Sequence, residues 1–440
     1  MALPATLPPL ELAAPHQVLG ERIANSRIDS PRHYPDNDLV VVRDVLVRIE
    51  PVAGYGISTF PVAGPGDAPA PRGDGVTPGI DDGASGHVRI TGTVLSNGQL
   101  DLETAGLIDV ECARDAGDLY TPSIRDFGPP TRSDAPRIVH AGPLHGAIAT
   151  AWTVDPAGGA GAPSLTATLS LTAGESFLRI DVSGDHRGTD QRLRFRVRTG
   201  IPGAEVWADA AFGVVRRVPV EADPHPGALA ESPQRTAPLH RYVSLFGGER
   251  GATLYSDGLA EYEVFDDGTV AVTLVRAVGE LSRHDIPERP GHAGWPAATP
   301  AAQCPGPFTA SFALAFHPGT RDAATIDLIE RTADDVLLPL AGSSLRNAVD
   351  VERATAGVQL EGRGLAFSAL KESDDGGSLV LRCVNLLDEP VDGRWTLGWP
   401  AAAAHLARLD ETPLEPVAVR DGCHVAFTAA PRAVVTILVR

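Results

Sequence analysis

RLRFRVR, residues 192–198, sets Arg192, Arg194, Arg196 and Arg198 alternately with Leu193, Phe195 and Val197. An extended strand sends successive side chains to opposite faces, so this run sorts into one arginine face and one apolar face. The same period spreads outward along the chain, in LTATLSL (165–171), FLRIDV (177–182), and residues 270–275, 379–384 and 434–439. In DLVVVRDVLVRIE (38–50), Val45, Val47 and Ile49 alternate with Leu46, Arg48 and Glu50. Between such runs, Asp266-Asp267-Gly268 and Asp374-Asp375-Gly376 read as hairpin turns, where aspartate tolerates the reversal and glycine closes it. One stretch, AATIDLIERTA (323–333), offers a short helix. The fold class is all-β.

Breaks in composition divide the chain. Residues 63–86 hold seven glycines, four prolines and four aspartates, the make-up of a linker or exposed insertion. A second change falls at 321–346. The expected plan is a small N-terminal β unit (1–62), the linker (63–86), a large multi-stranded β-sandwich (87–320), a connection (321–346) and a smaller C-terminal β-sandwich (347–440).

Composition excludes several functions. The 440 residues are 43% hydrophobic, enough for real cores, and carry a net charge of -19, which disfavours a nucleic-acid partner. No stretch approaches the ~20 apolar residues of a membrane span, and residues 1–15 make a poor signal peptide. Cys112, Cys304, Cys383 and Cys423 are far apart, lack any CxxC pair and read as buried thiols of a reducing compartment. A cytoplasmic location follows as the expectation. Lys371 is the one lysine, a mark of GC-rich coding rather than of function.

No histidine among the thirteen is followed two places later by Asp or Glu, and there is no HExxH. His284-Asp285 and the His33 to Asp36 run are the nearest approaches to a metal site, and loop histidines explain both better. A nucleophile elbow, a phosphate loop and a dinucleotide fingerprint are absent, and Gly158, Gly159 and Gly161 read as a plain turn. Residues 279–306 form a 28-residue polar stretch with Arg283, His284, Asp285, Glu288, Arg289, His292, Trp295 and Gln303. A flat indole beside several donors suits a sugar, and an ornate surface loop suits the same residues equally.

Several strings in order resemble the C-terminal half of glycoside hydrolase family 38, the α-mannosidases. They are GDLYTPS (117–123), RLRFRVRTG with VWADAAFGVVRR (206–217), TAPLHRYVSL (236–245), ATLYSDGLAEYEV (252–264), LSRHDIPERPGHAG and SALKESDDGGSLVLRCVNLLDEPV (368–391). The opening PHQVLGERI and VAGYGISTFPV resemble the small β segment of those enzymes, so the likeness spans nearly the whole chain outside 63–86. It implies a large β "supersandwich" followed by a terminal sandwich.

The resemblance also implies an N-terminal catalytic domain with a His-x-Asp zinc motif and an aspartate nucleophile, which this sequence does not contain. On that reading the chain alone is inactive, and zinc belongs to a missing catalytic half. Either the gene is split, the chain is a fragment, or it is a relative without catalysis. The expected partners are a catalytic-half polypeptide, an α-mannoside or related carbohydrate, and a second copy through exposed surface. The alternative is a stand-alone carbohydrate-binding or scaffold module. In the related enzymes the β domain lends a tyrosine and an arginine to the mannose pocket. By motif these are Tyr120 and either Arg283 or Arg289, placed to share one ligand unless the arginines only pair with Asp285 and Glu288.

Overall fold

The computed structural model describes residues 15–30, 33–49, 54–56, 87–128, 132–154, 163–221, 230–338, 340–342 and 357–440. The expected linker 63–86 and the glycines 158, 159 and 161 lie outside these residues. The alternating runs quoted above become strands, although the 38–50 run is strand only to Val47 and Glu50 lies outside the described residues. RLRFRVR lies in Gln191–Arg198, LTATLSL in Ser164–Thr172 and FLRIDV in Phe177–His186.

Two sheets face each other in the large sandwich. One has ten strands and is built around Gly306–Pro318, which pairs with Phe177–His186 on one side and Arg250–Asp257 on the other. The second has six strands, with Gln191–Arg198 between Thr269–Ala277 and Ile108–Asp115. Their inner faces bury Leu193, Phe195 and Val197 against Ile180, Phe312 and Leu314, and Phe195 stacks on Phe312 at 5.3 Å. Each such side chain contributes about 1.5–3 kcal/mol on leaving water.

The arginine face of RLRFRVR grades from buried Arg192 and Arg194 through half-exposed Arg196 to exposed Arg198. Arg194 is buried, and the neighbouring strands supply its partners, Glu111 and Glu263. A row of arginines survives there because carboxylates stand opposite it in the sheet.

The terminal sandwich packs a four-stranded and a five-stranded sheet around Trp395, Leu381, Cys383 and Ile437. His16–Ser30 and His33–Val47 form a separate hairpin. Its base is tied to the large sandwich by Gln17, whose side chain bonds the backbone of Leu144 and His145. Asp-Gly turns stand where expected: Gly268 and Gly376 have φ of 81° and 69°, a region glycine enters without strain. The helix is longer than AATIDLIERTA and spans Ala323–Leu337. Asp322 caps it by accepting from the Thr325 N–H at 2.8 Å. Its Ile329 and Ala333 meet Tyr242 and Tyr255 of the ten-stranded sheet, while Ile326 meets Ala366 and Leu386 of the terminal sandwich. Among the described residues no helix is long and apolar enough to cross a membrane.

None of the four cysteines is in a disulfide; Cys423 is half-buried, and Cys304 departs furthest from the expectation of buried thiols. It sits exposed in a left-handed turn after a short 3-10 segment. Burial pushes the Cys383 thiol up to about 12. A thiol reagent should therefore modify Cys304 in the native protein and leave Cys383 untouched until denaturant is added. Peptide mapping checks this, and equal labelling of the two would refute it.

Candidate functional site

The sequence DAGDLYTPS (115–123) folds into a tight turn at the end of Ile108–Asp115, because its two aspartates satisfy the turn's own N–H groups. Asp115 accepts from Gly117 and Ser123, both at 2.9 Å, and Asp118 accepts from Tyr120 at 2.9 Å and Thr121 at 2.8 Å. Gly117 is required, since a Cβ there would lie 2.2 Å from the Thr121 carbonyl oxygen. Both carboxylates are fully buried, and each meets one arginine: Arg276 at 2.7 Å from Asp115 and Arg289 at 2.6 Å from Asp118.

The stretch 279–306 contains more order than a structureless loop. Asp285–Ile286 pairs with Arg289–Pro290, and Pro300–Gln303 forms a 3-10 turn. It is fastened to the turn at 115–123 by one carboxylate. Asp118 Oδ2 accepts the Arg283 N–H at 2.6 Å as well as the Arg289 guanidinium. The Leu119 N–H donates to the Glu280 carbonyl at 3.1 Å. The Ala293 and Gly294 N–H groups donate to buried Ser282 Oγ, which lays Gly294 against the Tyr120 ring. Burial by itself would raise the Asp118 carboxyl. The bonds from Arg289, Arg283, Thr121 and Tyr120 outweigh it and hold the group at about 2.

Tyr120 and the two arginines are thus brought together, with the Arg289 guanidinium 6.0 Å from the Tyr120 ring centre. The arginines are not equivalent. Arg289 is buried and spends all five N–H groups on the protein: Gly291 O, Arg283 O, Thr121 Oγ1 and both oxygens of Asp118. These bonds leave it no uncommitted N–H to offer a ligand. Its partner is Asp118, not Glu288, which is held by Arg125 and Ser123. Arg283 is half-exposed, forks onto Asp285 at 2.9 and 2.8 Å, reaches Glu280 at 3.3 Å and keeps two N–H groups uncommitted in these bonds.

Exposed aromatic residues stand next in sequence to these groups, Trp295 after Gly294 and His284 after Arg283. Tyr120 is 54% and Trp295 83% exposed, and the His284 and His292 rings lie 5.1 Å apart. Gln303 does not join them, because its amide is tied to Asp190. Among the described residues no group of three or more His, Cys, Asp or Glu side chains could hold a metal ion. Sequence reasoning missed Asp118 and Asp115. The signal was present in two acids three residues apart within a Gly–Pro turn.

Comparison with known proteins places two profiles of one family on the chain. "Glycosyl hydrolases family 38 C-terminal domain" matches residues 121–282, and "Glycosyl hydrolases family 38 C-terminal beta sandwich domain" matches 364–437. A "Putative mannosylglycerate hydrolase" of Halalkalibacterium halodurans is 32% identical over 222 residues, which is 50% of this chain and 23% of that protein. An α-mannosidase of Enterococcus faecalis V583 has the same fold, at TM-score 0.67 and 17% identity, over 97% of this chain and 49% of the other. A second E. faecalis family 38 structure gives TM-score 0.63 and 18% identity, over 97% and 51%. The chain therefore spans about half of these structures and about a quarter of the curated relative.

Proposed function

We propose, from the premise that this chain belongs to family 38 of the glycosyl hydrolases and carries its C-terminal domains, that it is the β portion of a hydrolase acting on α-mannosides. The observation that carries this reading is the Asp118 carboxylate, which fixes the Tyr120 turn and the Arg283 loop side by side at the surface. Tyr120 would offer its hydroxyl to a ring hydroxyl, and Arg283 its two remaining N–H groups to sugar oxygens. Trp295 would shield the apolar face of the sugar from water.

For the zinc that the family resemblance implies, the described residues offer no group of three or more His, Cys, Asp or Glu side chains. This portion's part is to bind and orient the mannoside, with the bond-breaking groups supplied by a catalytic portion as partner. The names of the relatives support an α-mannoside, and mannosylglycerate is one member of that class.

The isolated 440-residue chain should leave an aryl α-mannoside intact, with or without added zinc. It should still bind methyl α-mannoside weakly in an NMR titration, and Tyr120→Phe or Arg283→Ala should each weaken that binding about three- to tenfold, one hydrogen bond's worth. Binding indifferent to both substitutions would sink the reading, and so would turnover that persists after repurification.

A further inference from the structure

We propose that the large sandwich holds a second binding site at its edge, for a small amphipathic carboxylate: an apolar chain or ring bearing one anionic group. It goes beyond the mannoside reading and does not rest on it. The ten-stranded sheet ends at Gly213–Arg217 and the six-stranded sheet at Ala237–Pro238. At this edge lies a cavity of about 420 Å³. Val206 and Arg217 line it from one sheet, Tyr262 and Val264 from the other, and Val218 and Phe265 from the adjoining turns. Its volume falls in the ~300–1,000 Å³ range of small-molecule sites. None of Tyr120, Arg283 and Trp295 lines it.

Register places an arginine where a sandwich ordinarily buries an apolar residue. Arg217 stands opposite Val206 in the sheet, and Val206 belongs to the core, so both side chains lie on the inner face. Tyr262, 2% exposed, belongs to the same core. Its hydroxyl and the Arg217 Nε are both buried, and neither has a hydrogen-bond partner among the described residues. Buried donors are ordinarily satisfied, so a pair left bare beside a cavity points to an acceptor that comes from outside. The other arginines here are held by acids, Arg216 by Glu205 at 2.8 Å and Arg235, more loosely, by Glu263 at 3.9 Å. Among the described residues no carboxylate pairs with Arg217. Asp266, the acid among the lining residues, is exposed. Burial pushes the Tyr262 hydroxyl up and Arg217 beside it draws it partly back, so the phenol keeps its proton to donate. A carboxylate can accept from a guanidinium and a phenol together, while the valines and Phe265 cover an apolar body. A neutral hydrocarbon would leave both donors bare, and a sugar would turn its hydroxyls to valines.

Octanoate and 1-octanol test this, two probes of one chain length that differ in the anionic head. Each is titrated into the full chain by NMR. Octanoate should bind about tenfold more tightly than octanol, the scale of one charge-assisted hydrogen bond, and should shift the signals of Val206, Tyr262 and Val264. Arg217→Met keeps much of the stem and removes the charge. It should cost octanoate about tenfold, leave octanol nearly unchanged, and keep the urea midpoint, since no ion pair is lost. Arg217→Lys should restore part of the affinity, and Tyr262→Phe should weaken octanoate about threefold. Octanoate that binds Arg217→Met as tightly as wild type overturns the proposal. So does octanoate that moves signals elsewhere, or that fails to bind at millimolar concentration. Displacement of octanoate by methyl α-mannoside would show one shared site and overturn it as well. The mannoside reading stands or falls separately, on the Tyr120 and Arg283 variants.

Discussion

Arg241→Ala should lower the stability of the protein by about 3–5 kcal/mol, the loss expected when one member of a buried ionic network is removed. Arg241 bridges Asp209 at 2.8 Å and Glu330 at 2.9 Å, and those carboxylates have 2% and 8% of their side-chain surface exposed. Burial alone would lower the pKa of the guanidinium, but Asp209 and Glu330 more than offset it and push it up. Burial raises the Glu330 carboxyl, which Arg241 and the Tyr242 hydroxyl pull back. Without the arginine side chain, two acids would sit in low dielectric facing the Tyr242 hydroxyl, the His240 ring and the backbone N–H of residue 241.

The consequence reaches beyond one site, because Glu330 lies on the helix Ala323–Leu337 that joins the two sandwiches. A urea midpoint shifted down with the slope unchanged would show the loss as a stability change. Pairing Arg241→Ala with Glu330→Gln should recover part of it, since one of the two uncompensated charges is removed while the new amide oxygen can still accept from Tyr242. A loss below about 1 kcal/mol for Arg241→Ala, in the range of surface ion pairs, would mean the network is solvated.

Local pattern makes the strands legible. LTATLSL, read as 165–171, lies inside the strand Ser164–Thr172, and both Asp-Asp-Gly turns close hairpins. The order of strands is not legible. Phe177–His186 pairs with Gly306–Pro318 from more than a hundred residues away, and no local signal encodes that partnership. The helix runs on past Ala333, the last residue of the pattern AATIDLIERTA. Asp334 and Asp335 interrupt that pattern in the sequence, yet both lie within the helix, where Val336 packs against the same aromatic cluster as Ala333.

The site shows the same division. The motifs point to Tyr120, Arg283 and Arg289 together, but sequence cannot rank the arginines, since each stands near acidic neighbours. Folding ranks them. Arg289 follows the two-residue turn Pro287-Glu288 in a short hairpin and points inward, while Arg283 keeps its side chain at the edge. The acid that organises both belongs to a turn 165 residues earlier in the chain than Arg283, so contact distance alone reveals it.

Asp118→Asn should cost at least about 2 kcal/mol near neutral pH, and most of that difference should vanish in acid. The native carboxyl is held at about 2, whereas an aspartate in an unfolded chain titrates near 3.9. A depressed carboxyl stabilises the fold above its unfolded pKa, and that contribution fades as pH falls through the folded value. The window is therefore about pH 4 down to about pH 2. Above it the charged form is worth about 2.5 kcal/mol, since a pKa difference of one corresponds to ~1.4 kcal/mol. The variant adds a second cost, because an amide nitrogen would face the Arg283 N–H or the Arg289 guanidinium in place of an acceptor. Wild type and variant should thus approach one another in urea stability as pH drops towards about 2 and separate again on return to neutrality. A difference independent of pH would show that Asp118 acts through shape alone. Hydrogen exchange at the Tyr120, Thr121 and Arg283 amides, which the carboxylate holds, should quicken in the variant, while amides of the buried strand Gln191–Arg198 keep their protection. That contrast would separate loss of this one clasp from loss of the sandwich.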